Sequence, residues 1–324
     1  RHRCYRDESC SPERFLCARV SYTTSFVVQG VYRQGYNPLS CMHQQQSVLM
    51  AGIAVYWNQS ATEGNQFMHP MLNTAIRAAR QSGRIILMHY GRLDRLEVTT
   101  KGRNDYVSQA DTEAEEAALE ILTTAYPEHG VLAEESGKRE GGDYTWVIDP
   151  LDGTTNFLHG FPQFSVSIAV LHGQTIEHGV VYDPLRNELF TSSRGQGAQL
   201  NDRRIRVSSI SRLEQCLLGT GFPFRELDKF DHWMKTFRKL TMKTSGVRRA
   251  GSAALDLAYV AAGRLDGFWE FGLQPWDCAA GALLIREAGG LVADMDGGQD
   301  FLESGNVAAG NPRIFEELLK TLVP

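Results

Sequence analysis

Trp146-Val147-Ile148-Asp149-Pro150-Leu151-Asp152-Gly153-Thr154-Thr155-Asn156 is the stretch on which the reading of this chain turns. It opens as a short apolar run of β-forming residues, the pattern of a buried strand. It breaks at Pro150, which has no amide hydrogen to continue a ladder. Two carboxylates therefore stand on a rigid loop at a strand end. Asp149 and Asp152 flank Leu151, whose backbone carbonyl offers a third oxygen. Gly153-Thr154-Thr155 has the character of a first helical turn, presenting free N–H groups and a positive dipole end to an anion. Hard cations such as magnesium take carboxylate, carbonyl and water oxygens and share a substrate's phosphate. Metal and phosphate sites would thus be adjacent. In isolation, Asp-x-x-Asp-Gly reads more readily as a turn with solvated caps; acidic positions elsewhere change that weighting.

Working outward, Val131-Leu132-Ala133 reads as a short strand ending in Glu134-Glu135, followed by a Gly-rich link from Gly137 to Gly142 into the Trp146 strand. If the two strands are neighbours, Glu134 comes close to Asp149 and Asp152. Before them, Pro70 to Tyr90 has apolar residues at helical spacing with proline suited to a first turn. Lys101 lies in a polar link, and a second helix rich in Ala and Glu runs to about Tyr126. Asp111 sits near the start of that helix, where capping is the ordinary role. After the central stretch, Phe164 to Leu171, Thr175 to Tyr182 and Glu188 to Ser192 are short β runs between turn signals, predicting an antiparallel meander. Strands at Cys216 to Gly219 and Leu265 to Glu270 then alternate with helices at Phe230 to Leu240 and from Gly251-Ser252-Ala253 to Ala261. Trp276-Asp277-Cys278-Ala279-Ala280-Gly281 opens a further helix that stops at Gly289-Gly290, its small residues suited to close packing on a sheet. Strands at Leu291 to Ala293 and Val307 to Ala309 and a helix from Pro312 end the pattern.

This order predicts a layered α+β sandwich of sheets and helices. Glu134, Asp149, Asp152 and Asp277 all fall where strands end or helices begin. Two cations about 3.5–4 Å apart need carboxylates from several such segments. The chain has no Gly-x-x-x-x-Gly-Lys-Ser/Thr loop, His-Glu-x-x-His helix or Gly-x-Ser-x-Gly elbow. His129, His159, His172 and His178 lack ligand-like spacing and read as packed or surface residues.

Composition sets the frame. Of 324 residues 42% are hydrophobic and 22% charged, as in globular proteins, and the formal net charge of -5 provides no global basic field for nucleic acid or membrane. Residues 1–67 hold four of the six cysteines but neither a zinc spacing nor a disulfide framework, and lack sustained periodicity. They read as an extension outside the folded body, possessing no membrane span or convincing signal peptide. The remaining cysteines, Cys216 and Cys278, suit a reducing cytoplasm.

Glu134-Glu135, the run from Trp146 to Phe157, and Trp276-Asp277-Cys278-Ala279-Ala280-Gly281 followed by Arg286-Glu287-Ala288-Gly289-Gly290 resemble the signatures of the inositol monophosphatase family. The likeness covers essentially Met68 to Pro324 and is closest to the bacterial extragenic-suppressor branch. It implies the αβαβα sandwich of the fructose-bisphosphatase type, with helices plus meander over 68–210 and an α/β part over 211–324. It also implies a cytoplasmic homodimer that hydrolyses a phosphate monoester with two to three Mg2+ ions and is sensitive to lithium. Carried over by motif, Glu134, Asp149 and the Leu151 carbonyl resemble ligands of a first metal, and Asp149, Asp152 and Asp277 those of a second. A third, weaker ion would lean on Glu134. Asp111 and Thr154 resemble the pair that orients the attacking water, and Gly153-Thr154 the phosphate cradle. Asp152, Ala253, Glu270 and Asp277 resemble substrate contacts. Relatives with these signatures also act on sugar bisphosphates, nucleotide 3'-phosphates or histidinol phosphate. The extragenic-suppressor branch implies a different class of function, partnership with the ribosomal RNA transcription antitermination machinery, for which Arg203, Arg204, Arg206, Arg248 and Arg249 are a candidate surface.

Overall fold

Helix α1 (Pro70–Tyr90) starts on proline, whose missing amide hydrogen is of no consequence in a first turn, and buries Leu72, Ala75, Ala79 and Ile86 along one stripe. The computed structural model describes residues 68–102, 105–223 and 227–322, so the extension expected over 1–67 lies outside the described residues. After α1 come strands β1 (Val98–Gly102) and β2 (Asp105–Ser108), helix α2 (Gln109–Ala125), strands β3 (Gly130–Ala133), β4 (Gly137–Arg139) and β5 (Tyr144–Asp152), and a short helix α3 (Thr154–Leu158). Strands β6 (Ser165–His172), β7 (Thr175–Asp183), β8 (Glu188–Ser193), β9 (Gly197–Leu200) and β10 (Arg203–Arg204) form the meander. The second half runs β11 (Leu217–Thr220), α4 (Phe230–Thr241), β12 (Gly246–Arg248), α5 (Ala253–Ala261), β13 (Gly267–Glu270) and α6 (Pro275–Glu287). It closes with β14 (Leu291–Ala293), α7 (Phe301–Ser304), β15 (Val307–Gly310) and α8 (Pro312–Leu322).

The strands form an eight-stranded sheet in the order β10-β9-β8-β7-β6-β5-β3-β4 and a five-stranded sheet in the order β12-β11-β13-β15-β14, with β1 and β2 paired separately. In the larger sheet only β3 and β5 run parallel; in the smaller one β12, β11 and β13 are parallel, and β15 pairs antiparallel with β13 and β14. Alternation along β5 assigns its two faces. Trp146 and Ile148 join the cluster formed with α1 and α2, whereas Val147 joins the cluster formed with α5 and α6. Phe268, Val307 and Ala309 of the smaller sheet pack into that same central cluster, and α4 and α8 cover the sheet's other side through Trp233, Leu240, Ile314 and Leu318. Five layers result, in the αβαβα order. Ala279, Ala280 and Gly281 let α6 sit close between the sheets; a side chain at 281 would run into Leu257 of α5.

Several short strands escaped the sequence pattern. The polar link at Lys101 is the β1–β2 hairpin, the Gly-rich link after Ser136 contains β4, and β9 and β10 extend the meander. They are two to five residues long and several are polar, so they carry too few alternations of hydrophobicity to register as strands.

Candidate metal centre and active site

Asp149 and Asp152 are three residues apart on β5, and strict alternation would send them to opposite faces. The structure places a bulge between them: Asp149 pairs with Ser167 and Asp152 with Ser165, so three steps on β5 oppose two on β6. Both aspartates thereby face the side on which Val147 meets α6. Pro150, in the bulge, has no ladder hydrogen to lose. The Asp149 carboxylate accepts the Leu151 amide at 2.9 Å. Asp152 accepts the Ser252 hydroxyl at 2.6 Å and the amides of Ala254 at 2.8 Å and Ala253 at 3.3 Å, which belong to the N-terminus of α5. Gly153 follows at φ 99°, and a side chain there would meet the carbonyls of Gln163 and Gly251, so the turn into α3 requires glycine.

The third aspartate arrives on α6. Asp277, the third residue of that helix, accepts the Gln274 amide at 2.7 Å and is buried. One carboxylate oxygen from each of Asp149, Asp152 and Asp277 lies within 4.8 Å of the others. Glu134 directly follows β3, which pairs with β5, and its amide donates to the Ile148 carbonyl at 3.1 Å. It lines the same cavity, and its charge is the first of those that act on Asp149. Asp111 takes a position behind the cavity wall, fully buried. One of its oxygens accepts the Ser108 amide at 2.9 Å and the Ser108 hydroxyl at 2.5 Å, and the other accepts the Thr154 hydroxyl at 3.0 Å. Thr154 also has the Leu151 carbonyl within 3.1 Å.

The cavity measures about 620 Å³ and is lined by Glu134, Asp149, Leu151, Asp152, Gly153, Thr154, Ala253, Glu270 and Asp277. Every candidate residue except Asp111 therefore reaches one space. Asp256 adds a sixth carboxyl to Glu134, Asp149, Asp152, Glu270 and Asp277, and Arg249 is the lone Arg or Lys among the described lining residues. This imbalance shows in the acids. Burial first, then the charges of Glu134, Asp152 and Asp277, raise Asp149 well above the carboxylate range. Burial and then Asp277 push Asp152 up to about 7, against the hydrogen bonds it accepts. Glu270 is raised by burial and then by Asp277, and Asp256 by burial and then by Asp152, with Arg249 opposing both. Burial also raises Asp111, opposed by its bonds from Ser108 and Thr154. Buried carboxylates this close need protons or cations among them. An all-oxygen donor set, free of His and Cys, suits a hard divalent cation.

Arg249 is exposed and also borders the site. Read from sequence as part of a basic surface, it lines the cavity with its guanidinium over the Phe222 ring at 4.9 Å from the centroid. Arg203 and Arg204 lie on β10 at the edge of the larger sheet, Arg248 on β12 at the edge of the smaller one, and Arg206 in the segment just after β10. His159 also lines the cavity, while His129 and His178 are buried as expected. Asp256 was missed because its only sequence signal is a place one turn after Ala253. Phe222, Leu227 and Phe230 form an exposed apolar rim to the cavity. Glu270 packs against Gly221, where any side chain would displace it.

A model of the inositol monophosphatase family matches residues 68–324. The chain belongs to the inositol monophosphatase family. Its relatives include the "Nus factor SuhB" of Pseudomonas aeruginosa, 55% identical over 263 residues that cover 79% of this chain and 97% of that protein. Among solved structures, the extragenic suppressor protein suhB of Bartonella henselae aligns with a TM-score of 0.75 and 49% identity, covering 78% of this chain and 97% of that one. The inositol monophosphatase of Anabaena aligns with a TM-score of 0.70 and 43% identity over 78% and 94%. Membership supports a metal-dependent phosphatase on the layered α+β fold, and the three-aspartate cluster is a group able to hold a metal ion.

Proposed function

We propose that this chain hydrolyses a phosphate monoester with Mg2+, most naturally myo-inositol monophosphate to inositol and phosphate. The observation that carries the reading is the convergence of Asp149, Asp152 and Asp277 from β5 and α6 in one buried cavity. Asp149, Asp152, Asp277, Glu134 and the Leu151 carbonyl would hold two to three ions. When bound, such ions supply Lewis-acid activation of water and offset the charge of the phosphoryl group.

The chain's own residues supply orientation and proton handling. Thr154 has one hydroxyl proton and two acceptors nearby. With that proton given to Asp111, its oxygen is left to accept a hydrogen bond from the attacking water. Asp111, raised by burial, is the basic partner behind it. The amides of Gly153 and Thr154 cradle the phosphate at the turn into α3. Asp152, Ala253 and Glu270 face the leaving group, and the Glu270 carboxyl, raised by burial and then by Asp277, offers its oxygens as acceptors to a sugar hydroxyl. In this reading the catalytic unit is residues 68–324, acting as a cytoplasmic homodimer and inhibited by lithium.

The test is phosphate release from a panel of monophosphates with and without magnesium and lithium, on wild type and Asp149→Asn. Magnesium-dependent release that Asp149→Asn abolishes without loss of fold supports the reading; near-normal turnover in that variant refutes it. A second reading is favoured by the relatives' name. As a Nus factor relative, the chain would also act as a partner in ribosomal RNA transcription antitermination. A pull-down with transcription factors, compared between wild type and Asp149→Asn, separates binding from hydrolysis.

A further inference from the structure

Helix α2 carries a second buried acid, one turn beyond Asp111. Glu115 is 2% exposed, and its carboxylate accepts two consecutive backbone amides from one loop. Glu135 N–H reaches Oε2 at 2.9 Å and Ser136 N–H reaches Oε1 at 2.7 Å. These are the two amides that directly follow Glu134. The Glu134 amide is itself fixed from the other side by the Ile148 carbonyl, at the parallel junction of β3 and β5. Three successive amides are thus tied, one by a neighbouring strand and two by a single side chain reaching from a helix.

A carboxylate inside a protein is costly to desolvate, and bonds from amides to an ionised acceptor are the strong kind that offset the cost. Glu115 therefore acts as a stiff clamp rather than a surface tether. Its spacing of four residues from Asp111 puts both acids on one face of α2. A single helix thereby reaches Thr154 through Asp111 and the Glu134 loop through Glu115. We propose that Glu115 is a positioning residue for Glu134, holding the loop so that the Glu134 carboxylate stays on the cavity side beside Asp149. The proposal rests on the reading of the acidic cavity as a magnesium site.

Glu115→Gln keeps one acceptor but turns an NH2 group toward the second amide, so one clamp bond is lost and two donors face each other. Isothermal titration of magnesium chloride alone into the full chain should show affinity weakened by about tenfold, the scale typical of groups that orient a metal ligand. In phosphate-release assays the half-saturating magnesium concentration should rise by a similar factor, with kcat at saturating magnesium changed far less. Ser82→Ala is the control. It removes the buried bond from the Ser82 hydroxyl to the Ala114 carbonyl, 2.8 Å long, next to Glu115 in sequence but not touching the loop, and should leave magnesium affinity unchanged. On a Glu134→Gln background, Glu115→Gln should produce little further loss, because coupled residues are not additive. If Glu115→Gln binds magnesium like wild type, whether or not it melts earlier, the residue is structural only and the proposal is overturned. If wild type binds no magnesium, the reading of the cavity fails and the positioning role with it. Should Glu115→Gln be recovered unfolded, Glu115→Asp, which keeps the charge and shortens the reach, takes its place with the same two outcomes.

Discussion

Asp111 and Asp277 occupy the same local position. Each is the third residue of its helix, and each accepts the backbone amide of the residue three before it, Ser108 at 2.9 Å and Gln274 at 2.7 Å. Judged by local structure alone, both are helix caps of the same kind. Their surroundings differ. Asp111 is sealed behind the cavity wall with the Ser108 and Thr154 hydroxyls on it, while Asp277 opens into the cavity among two other carboxylates. Capping occupies only part of a carboxylate. What the rest does is set by the element that packs opposite, a threonine hydroxyl in one case and a bulged strand in the other.

The largest effect should come from Asp277→Asn, which keeps the capping oxygen and removes the charge. Phosphate release should fall on the order of 10³-fold, since several kcal/mol of transition-state stabilisation depend on the ions it helps hold. Thermal stability measured in a chelator should be unchanged or higher, because repulsion on Asp149 and Asp152 is relieved. Retained activity would mean that Asp277 is a cap and nothing more, and the contrast with Asp111 would vanish. Asp111→Asn should cost about 10²-fold in phosphate release, the lower range for proton-transfer groups. Its magnesium affinity by calorimetry should match wild type; a loss equal to that of Asp277→Asn would erase the distinction from the other side.

A pH experiment sharpens the comparison. Burial and Asp277 raise Asp152 in the folded, metal-free chain to about 7 from an ordinary 3.8. Between those values the folded state holds the extra proton, so the stability contributed by this group is full below about 3.8. It is lost as pH rises through about 7. Melting temperature in a chelator should therefore fall from pH 5 to pH 8, and added magnesium should recover more at pH 8. Asp277→Asn should flatten that slope and Asp111→Asn should leave the Asp152 part of it intact. The smallest effect is expected for Ser108→Ala, which removes the hydroxyl bonded to Asp111. Chemical denaturation should register about 1 kcal/mol, the usual scale for a cap, with phosphate release within about threefold.

Much of this site was legible before any coordinates. Strand, break and acidic pair are written into Trp146 to Asn156, whereas the neighbouring of β3 and β5, only a condition in the sequence, is decided by their parallel ladder. The motif pairs carried the family and, through it, the αβαβα layering. Other residues had no such signal. Asp256 and Glu115 are ordinary acids in helices, and nothing in the sequence separates Arg249, which lines the cavity, from its neighbour Arg248. Short polar strands such as β4 and β10 were hidden because hydrophobic alternation needs more residues than they have.

The amino-acid sequence by itself determined which residues can cap, bend and ligate: proline at the break, glycine where φ is positive, aspartates at helix starts. Those choices depend on interactions within a few residues of the chain. Tertiary structure alone decided that Asp149 and Asp152 share a face, since register against β6 creates the bulge, and that Asp277 meets them, since α6 packs between the two sheets. Local periodicity names the faces of an element, whereas the partner each face finds is settled only when the layers close and the buried charges must be reconciled in one cavity.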